Sequence, residues 1–261
     1  MNSPEYKTGR LWIGIAFVLV LLIKSAFAQA EGKTLNVVTY YDYPPFVTDK
    51  NQGLFFNFIE ELKELAGPDY QINSQVLPRK RLNELLQEGR SIIVPFIHWS
   101  FFQDPEQDRY IWTPAFAVEK NLILSHTNNP VLYRGEAQNL TGLKFASVRG
   151  HVYVELQQAI DEGKIRNIIT NSQISCLKLL LNQRVDFTTL PSSTLQFYLR
   201  KLNAKEEIHI ATVPRTVFGR HVMMTKNLVG QRELLNQVVE KIKDSKEWQK
   251  NLIFNGLEPV E

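Results

Sequence analysis

The sequence has a single cysteine, Cys176, among 261 residues. That excludes an internal disulfide, and with it the stapled scaffolds common among small secreted folds. Cys176 stands in the apolar helical stretch Ile174-Ser175-Cys176-Leu177, and is expected to be buried packing. Long apolar runs are scarce too. The most conspicuous, Leu11 to Ile23, has 13 residues, against the roughly 20 that a membrane-spanning helix needs. The histidines, His98, His126, His151, His209 and His221, show neither H-x-x-x-H nor Cys/His ligand spacing. No metal site and no cofactor is therefore expected. There is no G-x-S-x-G, no glycine-rich phosphate loop and no nucleotide fingerprint, and the pairs Glu60-Glu61 and Glu206-Glu207 read as solvated surface. An enzyme is not expected. Charge of one sign is lacking as well. Without Lys7, Arg10, Lys24 and Glu5, the 30 basic and 27 acidic residues fall to 27 and 26. Nucleic-acid binders carry a marked basic excess, so nucleic acid is excluded as a partner.

What is present begins with an address. Lys7 and Arg10 precede the Leu11–Ile23 run, and Ala26, Ala28 and Ala30 follow it. These are the basic, apolar and small-residue regions of a cleavable secretory signal peptide. Cleavage after Ala28 and after Ala30 fit equally well. A retained anchor is the rival reading, disfavoured by the shortness of the run and by Lys24, which closes it. Residues 1–30 are thus expected to be removed and the mature chain to reside in the periplasm. Its roughly 230 residues suffice for two compact lobes.

Apolar periodicity then alternates between two and 3.6. A short buried strand, Leu35 to Tyr40, runs into Tyr41-Asp42-Tyr43-Pro44-Pro45-Phe46, whose prolines end strand pairing. Phe55, Phe58, Ile59, Leu62, Leu65 and Ala66 share one helix face, and Gly67-Pro68 stops that helix. A strand (70–77), a helix (81–88) and a strand (91–96) follow, then an aromatic loop from His98 to Phe116 and a strand near 121–125. A second series starts at Leu143 and includes helices near 152–160, 172–182 and 194–202 and a strand at 185–190. A strand near 217–225 leads into a helix (233–242) and a last apolar segment with Trp248. Strands alternating with helices predict an α/β fold with mixed, mostly parallel sheets flanked by helices.

Four segments in this order resemble the solute-binding proteins of amino-acid-type ABC importers (family 3). They are Tyr43-Pro44-Pro45-Phe46 followed by Gly53-Leu54-Phe55-Phe56-Asn57, then Arg109 to Phe116, then Asn139 to Gly150, and the C-terminal strand–helix–Trp order. The resemblance implies a two-lobed type II periplasmic-binding fold with two hinge crossings. Lobe 1 would be 31–122 and 217–261, and lobe 2 would be 123–216. It implies reversible capture of a small polar, amino-acid-like or anionic ligand by hinge closure. The expected partners are that ligand and an inner-membrane ABC permease or a sensor, with the protein a monomer. The alternative is a ligand-sensing or partner-docking module of the same fold. One departure stands out. Asp104-Pro105-Glu106-Gln107 occupies the stretch where the family's α-amino-acid binders carry T-x-E-R, with Arg109 three residues beyond the usual clamp position.

Ligands of open α/β sheets sit at the carboxyl ends of strands. There, Tyr41, Tyr43 and Phe46 follow the first strand, and Trp99 follows the third; their rings suit stacking on a ligand. Arg149-Gly150-His151, between a strand and a helix, would offer a guanidinium, a close backbone approach and free helix N–H groups to an anion. Arg109 is its expected counterpart in the first lobe. Asp186 matches an acid that the family keeps near the second lobe's cleft, and Arg81 is expected on an exposed helix face.

Overall fold

The computed structural model describes residues 33–260, so the expected signal segment, residues 1–30, lies outside the described residues. In chain order the elements are β1 (Lys33–Thr39), α1 (Leu54–Ala66), β2 (Tyr70–Val76), α2 (Arg79–Gln87), β3 (Ile93–Ile97), β4 (Ile111–Trp112) and β5 (Ala117–His126). There follow β6 (Lys144–Val148), α3 (Val154–Asp161), β7 (Arg166–Thr170), α4 (Gln173–Leu181), β8 (Phe187–Pro191), α5 (Ser192–Leu202) and β9 (Ile208–Ile210). The chain ends with β10 (Thr216–Met224), α6 (Arg232–Asp244), α7 (Lys246–Phe254) and β11 (Glu258–Pro259). Along the main path the strands run β2-β1-β3-β10-β5-β8-β6-β7. Pairing is parallel at both ends, where β1 joins β2 and β3, and β6 joins β7 and β8. It is antiparallel in the middle, where β10 joins β3 and β5, and β5 joins β8.

Apolar packing divides at that middle. One core gathers Leu35, Phe58, Val94, Phe116, Val222, Val239 and Trp248, from both ends of the described chain. Two smaller cores, built around Phe145 and Phe187 and around Cys176, Leu180 and Leu195, lie between them in sequence. The chain therefore crosses twice, in β5 and in β10, and these two strands pair from Asn121↔Thr216 to Ala117↔Arg220. This is a two-lobed α/β fold with two crossings. A further tie runs along the ribbon. β11 pairs with β5, Gly256 packs against the Ser192 carbonyl of α5, and Arg200 donates to the Phe254 carbonyl.

Local chemistry explains most boundaries. Gly53 has φ +115, and a Cβ there would stand 2.4 Å from the Phe46 carbonyl oxygen; only glycine permits that approach. In return the Pro45 and Phe46 carbonyls accept the first N–H groups of α1, from Leu54 and Phe55, which otherwise lack partners. The periodicity of α1 holds for Phe55, Phe58, Ile59 and Leu62, but Leu65 is partly exposed at the rim. Four short strands, β4, β7, β9 and β11, are not apparent in the apolar pattern; Ile111–Trp112 lies within the segment expected to be an aromatic loop, Arg166–Thr170 has no buried residue and Glu258–Pro259 has only two residues. Cys176 is buried, with Sγ 3.0 Å from the Thr170 hydroxyl. Glu61 is not free surface: its carboxylate takes Lys241 and the Trp248 indole N–H.

Candidate functional site

The carboxyl ends of β1 and β3 share one aromatic body. Tyr41 stacks on Phe46 with centroids 4.6 Å apart, and Phe46 and Phe116 both pack on Phe96. At its centre lies a charge that the apolar pattern hides. Glu119 on β5 faces Phe218 on β10, so Arg220, two residues on, lies diagonally across the same ribbon face. Glu119 and Arg220 form a fully buried ion pair. Rings surround the guanidinium: Phe218 at 4.8 Å, Phe46 at 5.0 Å and Tyr41 at 5.2 Å. Arg220 donates to the Tyr41 hydroxyl at 2.7 Å and to the Phe96 carbonyl. Its Nε has no hydrogen-bond partner among the described residues. The other Glu119 oxygen accepts the backbone N–H and hydroxyl of Ser193, at the start of α5.

The carbonyl that meets Arg220 is aimed by a distortion. Ile97 pairs with His221 and Val94 with Met223, so two β3 residues, Pro95 and Phe96, lie opposite one on β10. Proline cannot donate to the ladder, and bulges are where a strand tolerates it. Phe96 takes φ +61, an uncommon conformation for a bulky residue that clusters at functional sites.

Beyond the bulge, His98 precedes a single 3-10 turn, Trp99–Phe102, and its Nδ1 accepts the Ser100 N–H while lying 2.8 Å from the Ser100 hydroxyl. Burial, with the nearby His221 and Arg220, pushes the His98 imidazole down to about 4. The ring is therefore neutral at neutral pH, and accepting at Nδ1 assigns its proton to Nε2. Half-buried Tyr43, Trp99, Phe101 and Phe218 form the outer rings of this wall. Desolvation and the neighbouring Tyr41 hold the Tyr43 hydroxyl well above its usual range, so it remains a donor.

The Asp104 to Gln107 stretch has its own logic. Asp104 is buried, and its carboxylate accepts the N–H groups of Asp108, Arg109 and Tyr110 and the Trp112 indole. Burial alone would raise its pKa, but these bonds overcome burial and hold it below the usual value. The stretch is a loop anchor in which Asp104 faces inward.

The other lobe offers a different surface. Arg149-Gly150-His151 follows β6, exposed, with Gly150 at φ +77. Arg149 lies 3.4 Å from the Asn171 side-chain oxygen and joins no ion pair among the described residues. Behind it, the Tyr153 hydroxyl accepts the Val148 N–H, and Arg215 pairs with Glu155. The lobes touch where Thr194, after β8, donates to the Pro44 carbonyl at 3.4 Å.

The expected residues thus separate. Tyr43 and Trp99 stay on the wall. Tyr41 and Phe46, expected to touch ligand, are 4% and 0% exposed and belong to the core. Asp186 sits at the far end of β6, where it accepts the Lys144 N–H at 2.7 Å, roughly 16 Å of strand from Arg149; it fastens the base of the sheet. Arg81 is on the exposed helix face, paired with Glu84 and Glu88. Arg109 is on the outer flank of its loop. There it donates to the Phe102 carbonyl and lines, with Arg79 of α2, a groove of about 290 Å3. Arg109 and Arg149 share no cluster. Glu119, Ser193, Phe218 and Arg220 were not read from the sequence. A lone acid in Ala117–Leu124 and a lone Arg in Val217–Met224 were the available signal, since charges inside apolar strands are buried only when paired.

No family model matches the chain, and no curated protein matches it by sequence. Solved structures do match its fold. The substrate-binding protein of an amino acid ABC transporter aligns at TM-score 0.60 and 16% identity, over 84% of this chain and 97% of that one. An ancestral arginine-binding protein bound to arginine gives TM-score 0.61 at 15% identity, over 86% and 98%. A histidine kinase sensor domain with similarity to periplasmic binding proteins gives 0.68 at 15% identity, over 89% and 100%. At these identities the likeness shows a periplasmic-binding-protein-like fold.

Proposed function

We propose that this chain is an exported solute-binding protein that captures a small polar ligand between its lobes by closing about the β5–β10 ribbon. The lobes are residues 31–122 with 217–261, and 123–216. The observation that supports this reading is that Pro44, after β1, meets Thr194, after β8, beside the two-strand crossing, with half-buried rings at the ends of β1 and β3 and an exposed Arg149 at the end of β6, which runs parallel to β8. A ligand touching both sides favours the closed state, because only that state supplies both sets of contacts. Tyr43 and Trp99 stack on it, and Arg149 with the Gly150-His151 turn takes an anionic group. Arg220 stays with Glu119 and does not meet the ligand.

A thermal-shift screen of amino acids, small organic acids and oligopeptides tests this. Ligand at 100 times Kd stabilises the protein by about 2.7 kcal/mol. Titration of the hit should show weaker binding in Trp99→Ala and Arg149→Ala. Absence of any hit, or turnover of a screened compound, overturns the reading. Mass spectrometry of the periplasmic fraction should find a new N-terminus at Gln29 or Glu31. Service to an importer is the first role. The sensor-domain similarity, at the highest TM-score of the three, supports a second: signalling through a separate membrane protein. Co-purification with a permease or with a kinase separates the two.

A further inference from the structure

The groove beside Arg109 is built by one lobe alone, between α2 and the segment from Phe101 to Tyr110. Its two cations are held in place. Arg79 lies over the Phe102 ring at 4.0 Å and the Tyr40 ring at 4.8 Å, donates through Nε to Asn83 at 2.9 Å, and donates through Nη2 to the Phe101 carbonyl. Arg109 donates through Nη1 to the next carbonyl, that of Phe102, at 3.2 Å and lies 5.5 Å from the Tyr110 ring. Consecutive peptide carbonyls thus fix both guanidinium groups, and Asp104 anchors the loop that carries one of them. Each keeps N–H donors with no acceptor among the described residues.

The acids of α2 have been sorted away from this face. An arginine on a helix is normally met by a carboxylate three or four residues on. Four residues after Arg79 stands Asn83, with Gln87 one turn beyond, and both line the groove. Glu84 and Glu88, each one residue later, turn to Arg81 instead. No acidic side chain lines the groove, and Arg79 and Arg109 join none of the ion pairs among the described residues. Leu86, Phe102 and Tyr110 supply apolar wall. Two ordered guanidinium groups without a carboxylate suit a planar or tetrahedral oxyanion.

We infer that Arg79 and Arg109 form a second ligand site, which binds the carboxylate or phosphoryl group of a small molecule independently of the interlobe cleft. Because one lobe completes it, it is available in open and closed states alike. Titration calorimetry of the mature chain at low salt, with citrate and inorganic phosphate as probes, tests it. At least one probe should bind the wild type. Asn83→Glu places a carboxylate four residues from Arg79, and Arg109→Gln removes an exposed cation. Each should weaken that binding about tenfold or more with little change in melting temperature, while Arg149→Ala leaves it unchanged. Failure of both probes to bind, or wild-type affinity in both groove variants, overturns the site. Loss of the isotherm in Arg149→Ala alone would move the anion to the interlobe cleft, which refutes the groove and leaves the cleft reading standing.

Discussion

At the ends of β1 and β3 the chain packs ring on ring around Arg220, whereas at the end of β6 it leaves Arg149, Gly150 and His151 in solvent. At this face the first lobe holds its charge dry, already paired with Glu119; the second holds its charge wet and, among the described residues, in no ion pair. A charge buried with its partner is committed, since removing either leaves an uncompensated ion. A solvated arginine can still exchange water for a ligand oxyanion. Under the proposed function the lobes would divide the work of capture, one supplying a preformed wall and a fixed pivot, the other a free cation that closure would bring to the ligand.

That contrast breaks most severely at Glu119. Replacing it with Ala strands the Arg220 guanidinium among the rings of Phe218, Phe46 and Tyr41 and should cost about 3–5 kcal/mol in chemical denaturation. The double variant Glu119→Leu, Arg220→Met should recover most of the loss, because it removes both desolvated charges. If the double variant is as unstable as the single, the loss lies in the Ser193 and Phe96 groups that the pair satisfies and the double variant strands. Next in size is Gly53→Ala, which forces a Cβ against the Phe46 carbonyl at positive φ. A loss of about 2–3 kcal/mol is expected, with the aromatic wall displaced and near-ultraviolet circular dichroism reduced. The same substitution at Gly150, where a Cβ would meet open space, should cost less.

The wet side is tested by affinity. Arg149→Ala should weaken binding of the ligand found by screening about tenfold to a hundredfold and leave the melting temperature of the free protein unchanged. Arg90→Ala, also exposed, is the control; equal effects from both would mean that Arg149 acts only through general charge. The smallest effect is in pH. With the folded-state pKa of His98 near 4 and its unfolded value near 6.5, the unfolded chain binds more protons between those limits. Stability should thus rise with pH across that window and fall on acidification below about 6.5. His98→Asn should flatten this part of the melting-temperature profile; an unaltered slope would assign it to other groups.

Much of this protein was legible before folding. Period 3.6 in Phe55 to Leu62 and in Leu235 to Ile242, broken by Gly67-Pro68 and by turn residues, located the helices because each must bury one stripe. Apolar runs between them located the strands, and their alternation gave the α/β class. The aromatic turn after β1 and the Arg149-Gly150-His151 turn after β6 were legible as strand-end loops. Burial within those loops was not, since Tyr41 and Tyr43 have the same chemistry and stand two residues apart, yet one is core and the other wall. Asp186 has the same lesson: its position in sequence next to β8 says nothing of which end of β6 it reaches.

The sequence by itself determined the helices and the longer strands, because those depend on residues three or four positions apart or alternating along one strand; the short strands β4, β7, β9 and β11 it left unmarked. Only the tertiary structure decided which charges are spent and which are free. Glu119 and Arg220 lie 101 residues apart, and a guanidinium on an apolar strand carries no mark of its partner until two crossing strands fall into register. Arg79 and Arg109 likewise become a site only when α2 and the Phe101–Tyr110 segment close on one groove. Pairing energies depend on distance and on exclusion of water, and both are properties of the folded chain.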